Sequence, residues 1–256
     1  MNLTNPEYWS NHWEIGALPN ELNIEKSFSN YSNYFLHNFF KKILIHSDSS
    51  KKIVEVGCGD SVLLPYFYNK FYLNIFGIDY SEIACERSKK IIENSSAKGE
   101  IKLMDLFKLD ADYKNAFDFV FSNGVIEHFE DNSIALIEMK KMLSNNGLLI
   151  TGIPNMTGLT FQLLKFFNKN VYDTHNVFGI NEFIQIHERC NLEIISCHSF
   201  PVSIYIPLDG LTGLKKKIVY FINKFLILFS RVYYAMGFNT TNFLSSAYFI
   251  VSKSKS

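Results

Sequence analysis

From residue 51 onward, short apolar runs alternate with stretches in which apolar positions recur every three or four residues. The runs are Lys52–Val56, Asn74–Ile78, Glu100–Met104, Phe117–Ser122, Leu148–Ile153, Leu192–Ser199 and Ala247–Ser252. Runs dominated by Val, Ile, Leu and Phe are what strands buried on both faces require. Between the first five lie segments of helical length: Val62–Phe71, Ser81–Asn94, a short piece near Phe107–Tyr113, and Asp131–Leu143. This alternation predicts a doubly wound α/β fold, with a seven-stranded, mostly parallel sheet and helices on both faces. Asn145-Asn146-Gly147 reads as the turn that stops one helix and starts the next strand.

Both flanks of this core differ from it. Residues 1–50 read as an aromatic-rich helical cap, with Tyr8, Trp9 and Trp13 near its start and Tyr34, Phe35, Phe39, Phe40, Ile43 and Leu44 at helical spacing. Residues 200–246 form an insertion between the last two strands, far longer than an ordinary connection. In it Lys217, Lys224 and Arg231 recur every seven residues with Asn223 and Ser230 beside them. They form a narrow polar stripe on a helix that is otherwise apolar. Three readings of 214–236 stand: a lid packed over an apolar pocket, a homodimer interface, or a helix lying on a membrane with Lys215-Lys216-Lys217 toward anionic lipid. The chain reads as one domain: cap 1–50, core 51–199, helical insertion 200–246, last strand and tail 247–256.

Charge narrows the partners. With 25 basic against 25 acidic residues the chain lacks the positive field that draws proteins to nucleic acid, so a nucleic-acid substrate is not expected. The four cysteines, Cys58, Cys85, Cys190 and Cys197, form no CxxC pair, which suggests neither a zinc site nor a disulfide framework. The N-terminal residues lack the apolar core of an export signal, and Asn223, Lys224 and Arg231 interrupt the long apolar stretch 218–236. A cytoplasmic location follows, with membrane association left open.

The chemistry is concentrated in Lys52-Ile-Val-Glu-Val-Gly57-Cys-Gly59-Asp-Ser61, a strand running through two glycines into a helix. Glycine suits such a loop because the chain turns tightly and its backbone must approach a ligand without a Cβ in the way. Asp79 ends the next strand about twenty positions on, where a carboxylate accepts from ribose hydroxyls. A dinucleotide fingerprint would place a third glycine where Val62 stands. Glu55, two residues before the first glycine, suits a cationic sulfonium amino acid better than a pyrophosphate. The spacing favours S-adenosylmethionine (SAM) over NAD, and an NAD-dependent oxidoreductase is the alternative.

Five segments then follow in order. VEVGCGDS, GIDYSEIA, LMDLF, FDFVFSNGVIEHFED and MLSNNGLLITGIPN resemble the successive motifs of class I SAM-dependent methyltransferases, in the small-molecule branch similar to the quinone-biosynthesis enzymes. The resemblance covers residues 51–153 and implies the Rossmann-like methyltransferase fold. It also implies SAM as cofactor, S-adenosylhomocysteine (SAH) as product, and a small-molecule acceptor. Carried onto this sequence, it places Glu55, Gly57, Cys58 and Gly59 along the methionine and ribose, Asp79 on the ribose hydroxyls and Tyr80 beside the adenine. Asp105 and Leu106 meet the adenine edge, and Asn123 lies near the methionine. Cys58 reads as a small filler of the loop.

Because the sulfonium supplies its own electrophile, the protein has mainly to align a nucleophile behind the methyl group. An oxygen acceptor also needs a base. His128, after the fourth strand, and His175, in the run Asp173–Phe183 that resembles a substrate-facing segment of the family, are the catalytic candidates. Glu127 either orients His128, helps to hold a divalent metal, or faces solvent; no further carboxylate cluster supports the metal. A SAM-binding protein without catalysis, acting as a partner subunit, is the remaining rival.

Overall fold

The structure is a computed structural model that describes residues 3–14 and 16–255. Met1, Asn2 and Ile15 of the expected cap and Ser256 of the tail lie outside the described residues. In chain order the elements are α1 (Pro6–Trp13), α2 (Tyr31–Leu44), β1 (Lys52–Val56), α3 (Leu63–Phe71), β2 (Asn74–Asp79), α4 (Glu82–Asn94), β3 (Gly99–Leu103) and β4 (Phe117–Asn123). They continue as α5 (Asn132–Met142), β5 (Leu143–Pro154), α6 (Leu159–Phe167), α7 (Lys169–Tyr172), α8 (Ile180–Arg189), β6 (Leu192–Ser199), α9 (Gly213–Ala235) and β7 (Ala247–Ser254).

The strands form one sheet in the order β3-β2-β1-β4-β5-β7-β6. β3 through β5 run parallel, while β7 enters antiparallel between β5 and β6. The central strand shows why: in Lys-Ile-Val-Glu-Val only Lys52 is exposed, the burial of a strand covered on both faces. Helix starts follow local chemistry. The Ser81 hydroxyl accepts from the Ala84 amide at the head of α4, and Asp131 accepts from the Ser133 amide at the head of α5. Two apolar cores result. Phe39, Phe40, Leu64, Phe67 and Phe121 sit in the one built by α2, α3 and α4; Val54, Leu136, Met139, Phe183 and Ile250 sit in the one built by α5, α6 and α8. Strand order reverses between β1 and β4, and open sheets of this kind bind ligands at the carboxyl ends beside that reversal.

Three expectations change. Asn145-Asn146-Gly147 is no turn between elements, because β5 begins at Leu143 and runs through it. Asn146, at φ 65°, instead carries an irregularity that shifts the register against β4 between Phe117 and Phe119. The cap is two helices joined by extended chain, not one helical preamble.

The third change concerns α9. Its polar stripe splits: Asn223 and Ser230 are buried while Lys217 and Lys224 are exposed. Asn223 accepts from the Ile206 amide and donates to the Ile206 carbonyl (2.9 and 2.8 Å), and Ser230 accepts from the Ile204 amide at 3.0 Å. The buried side of α9 is thus narrow and partly polar, and much of its apolar surface faces outward.

Candidate active site

The loop after β1 is lashed to the end of β2. The amides of Gly57 and Cys58 both donate to the Ile78 carbonyl, at 2.8 and 3.1 Å. Gly57 and Gly59 take φ of 71° and 47°, the left-handed region that other residues enter at a cost. Both are also crowded: a Cβ on Gly57 would lie 2.5 Å from Val125 Cγ2, and one on Gly59 would lie 2.6 Å from Trp13 Cζ2. Asp79 accepts from the Gly59 amide (3.0 Å) and the Ser81 amide (2.9 Å), so one carboxylate ties the loop to the head of α4. Burial raises the Asp79 carboxyl against these bonds.

Glu55 is buried beside it and accepts from the Ser61 hydroxyl at 2.6 Å. Burial, with Asp79 adding repulsion, pushes Glu55 up to about 8. Among the described residues neither carboxyl forms an ion pair, so this end of the loop carries acidic groups held by hydrogen bonds alone.

These residues bound a cavity of about 440 Å³. It brings together all nine of the residues expected at the cofactor: Glu55, Gly57, Cys58, Gly59, Asp79, Tyr80, Asp105, Leu106 and Asn123. At its far end Asp105 accepts from the Phe107 amide at 3.0 Å and Leu106 is buried. Cys58 is buried with its thiol pushed well up by burial, which suits a filler and not a nucleophile.

The cap forms one wall of the cavity. Trp9 and Trp13 line it, whereas Tyr8 does not and packs edge-on against Trp9 instead. Trp9 Nε1 donates to Thr4 Oγ1 at 3.0 Å, and Thr4 and Tyr80 both line the cavity. Arg87, on α4, donates to the carbonyls of Gly16 and Ala17 and pairs with Asp60 at 2.9 Å, clamping the chain that follows α1 to the glycine loop. The sequence reading missed Thr4 and Arg87. Arg87 reaches partners about seventy residues away, so no local pattern signals it.

A second cavity of about 380 Å³ adjoins the first. Asn123, Gly124 and His128 line both. Glu127, His175, Ser32, Ser203 and Ser246 line the second only. His128 is buried, and its Nδ1 lies 2.8 Å from the Thr174 carbonyl. A carbonyl can only accept, so Nδ1 carries the proton and Nε2 keeps its lone pair. The same logic holds for His175, whose Nδ1 lies 2.8 Å from the Val171 carbonyl. Burial lowers both imidazoles, His128 to about 4 with neighbouring His175 adding to the effect.

Glu127 does not face solvent: it is 1% exposed and its Oε2 finds no hydrogen-bond partner among the described residues. Burial pushes its carboxyl up to about 8. Glu127, His128 and His175 each offer a donor atom within 4.8 Å of the others, a set with the ligand types to hold a divalent ion or to handle a proton. His187 is not part of it. That imidazole is buried between the Thr151 hydroxyl and the Phe183 carbonyl, both within 2.9 Å.

Residues 54–151 match the family model of a methyltransferase domain. No curated protein matches the chain. Among solved structures, geranyl diphosphate C-methyltransferase from Streptomyces coelicolor A3(2), in complex with Mg2+, geranyl diphosphate and SAH, is similar with a TM-score of 0.63 at 11% identity. That match covers 98% of each chain. Coclaurine N-methyltransferase bound to N-methylheliamine and SAH is similar with a TM-score of 0.64 at 14% identity, over 98% of this chain and 82% of that one. The [4+2]-cyclase SpnF is similar with a TM-score of 0.62 at 11% identity, over 97% and 92%. At such identities the likeness shows a shared fold.

Proposed function

Since residues 54–151 belong to the methyltransferase domain family, we propose that the chain transfers a methyl group from SAM to an oxygen or nitrogen of a small-molecule acceptor held in the second cavity. One observation carries this reading: Asn123, Gly124 and His128 form a wall common to the two cavities, so a donor in one and an acceptor in the other meet there. Glu55 supports SAM over NAD, because a buried carboxyl wants the ammonium of a methionine, not a pyrophosphate.

The acceptor's lone pair attacks the methyl carbon, the carbon–sulfur bond breaks, and its electrons stay on sulfur as SAH. Alignment across the shared wall supplies the main advantage. A hydroxyl acceptor gives its proton to the trio. His128 Nε2 stands at the wall, but an imidazole lowered to about 4 is a weak base. Glu127, pushed up to about 8, holds a proton far better near neutral pH, and a base works best when its affinity matches the operating pH. In this reading His128 and His175 orient the acceptor and Glu127 retains the proton. A divalent ion on the trio is the competing use of the same atoms.

The test is SAH release from SAM across a panel of hydroxyl- and amine-bearing small molecules, beside a direct SAH titration. Glu127→Gln, which changes a side chain lining the second cavity alone, should bind SAH as the parent does and lose turnover. Absence of SAH binding by well-folded parent protein would sink the proposal.

A further inference from the structure

α9 holds its place by an unusual division of labour. Its inward side is Val219, Asn223 and Ser230, pinned to the strap 202–206 by the three bonds already described. Tyr31 on α2 adds a stacked contact with Tyr234 at 4.5 Å and a hydrogen bond to the Val202 carbonyl. The outward side is the apolar one. Leu214, Ile218, Phe221, Phe225, Leu228 and Val232, spaced alternately four and three residues apart, form one stripe, with Phe225 72% and Leu214 73% exposed. Phe229 and Met236, exposed on the same side, widen it. Soluble surfaces seldom carry so continuous an apolar patch without a partner.

Charge says which partner. Between Gly213 and Ala235 there is no Asp or Glu, but there are Lys215, Lys216, Lys217, Lys224 and Arg231. Lys217, Lys224 and Arg231 run along one flank of the stripe, and the Lys224 ammonium lies over the rings of Tyr220 and Phe221 at 4.8 and 5.5 Å. A second copy docked along the same stripe in two-fold fashion would set Lys217 beside Arg231 and Lys224 beside its own equivalent, with no carboxylate on either helix to offset them. An anionic bilayer surface offers the complement that a second copy lacks: acyl chains for the stripe and phosphates for the lysines. By length and composition α9 could also cross a membrane. The bonds from Asn223 and Ser230 to the strap tie it to the protein along its length, which suits a helix lying in the surface plane.

We propose that α9 docks the protein on an anionic lipid surface, its outward stripe in the acyl boundary and its lysines among the headgroups. The strap that anchors α9 also supplies Ser203 to the second cavity. If that cavity takes the acceptor, as proposed above, docking presents it beside lipid and favours an amphiphilic acceptor drawn from the bilayer. The docking itself stands without the methyltransferase reading.

The experiment is flotation of the full chain with vesicles of phosphatidylglycerol and phosphatidylcholine, and with phosphatidylcholine alone. Two variants go beside it, Phe221→Ser/Phe225→Ser and Lys216→Glu/Lys217→Glu. All four positions are exposed and outside both cavities, and SAH titration of each variant reports the cofactor site separately. The parent should float with anionic vesicles, and each variant should lose at least about ten-fold in partitioning. Equal flotation with neutral vesicles, flotation undiminished in the variants, or a concentration-dependent dimer that ignores vesicles would each overturn the proposal.

Discussion

Replacing Glu55 with Gln tests the cofactor cavity where its electrostatics are most extreme. In the free protein Glu55 sits at about 8 against an ordinary 4.5, with burial the main cause. That displacement corresponds to about 5 kcal/mol in favour of the neutral form. If the ligand's ammonium needs the carboxylate, only the ionised fraction of the protein binds: about half at pH 8 and about one part in a hundred at pH 6. Apparent SAH affinity should therefore weaken about fifty-fold between pH 8 and pH 6, with a proton released on binding. Glu55→Gln should bind more weakly at pH 8 and show little pH dependence over the same range. Stability should move oppositely. The folded state keeps this proton up to about pH 8, while the unfolded chain sheds it near 4.5. The stabilisation is thus complete below pH 4.5 and is lost as pH rises toward 8. Free Glu55→Gln should then be more stable than the parent at pH 8.5, with a smaller gain at pH 5.5. Titration calorimetry in buffers of low and high ionisation heat, with urea unfolding at the two pH values, reads both effects. An SAH pH profile unchanged by the substitution would show that Glu55 does not face the ligand's charge.

The other site prediction concerns Glu127: turnover should climb with pH through a limb near 8, and Glu127→Gln should flatten that limb while lowering kcat by about a hundred-fold. A limb that survives the substitution would assign the proton elsewhere. Gly59→Ala should weaken SAH binding by about ten-fold or more, because a Cβ at φ 47° costs about 1 kcal/mol and also drives Trp13 from its seat. Tryptophan fluorescence that does not move would argue against that seat. Asn223→Ala leaves the amide and carbonyl of Ile206 unpaired in a buried place and should cost about 2–3 kcal/mol in urea unfolding, with SAH binding kept. A loss below about 0.5 kcal/mol would mean that water replaces the side chain.

What the sequence disclosed was mostly local. The turn at Gly57 and Gly59, the acid at Asp79 and the apolar run of β1 are each written within a few residues, and they fall where the spacing puts them. Strand ends were legible to within two residues for every strand but β5, which begins five residues ahead of the apolar run that signals it. What was hidden depended on distant partners. The Arg87 clamp needs chain about seventy residues away, and Glu127 is buried by elements that pattern alone cannot place against it. α9 misled for a physical reason. Helical periodicity says which residues share a face but not which face turns inward, and here two polar side chains capture the backbone of 204 and 206 and decide it. Asn146 misled similarly, since a left-handed residue serves a strand irregularity as readily as a turn.

The wall that α1 gives the first cavity has a kinetic consequence. Trp13 lies against Gly59, the Leu3 amide donates to the His128 carbonyl, and Arg87 grips the chain behind the helix. A spent cofactor held against such a wall leaves more slowly than one in an open cleft. On the proposed function, substitutions that loosen Trp9 and Trp13 should shorten the residence time of SAH and relieve product inhibition.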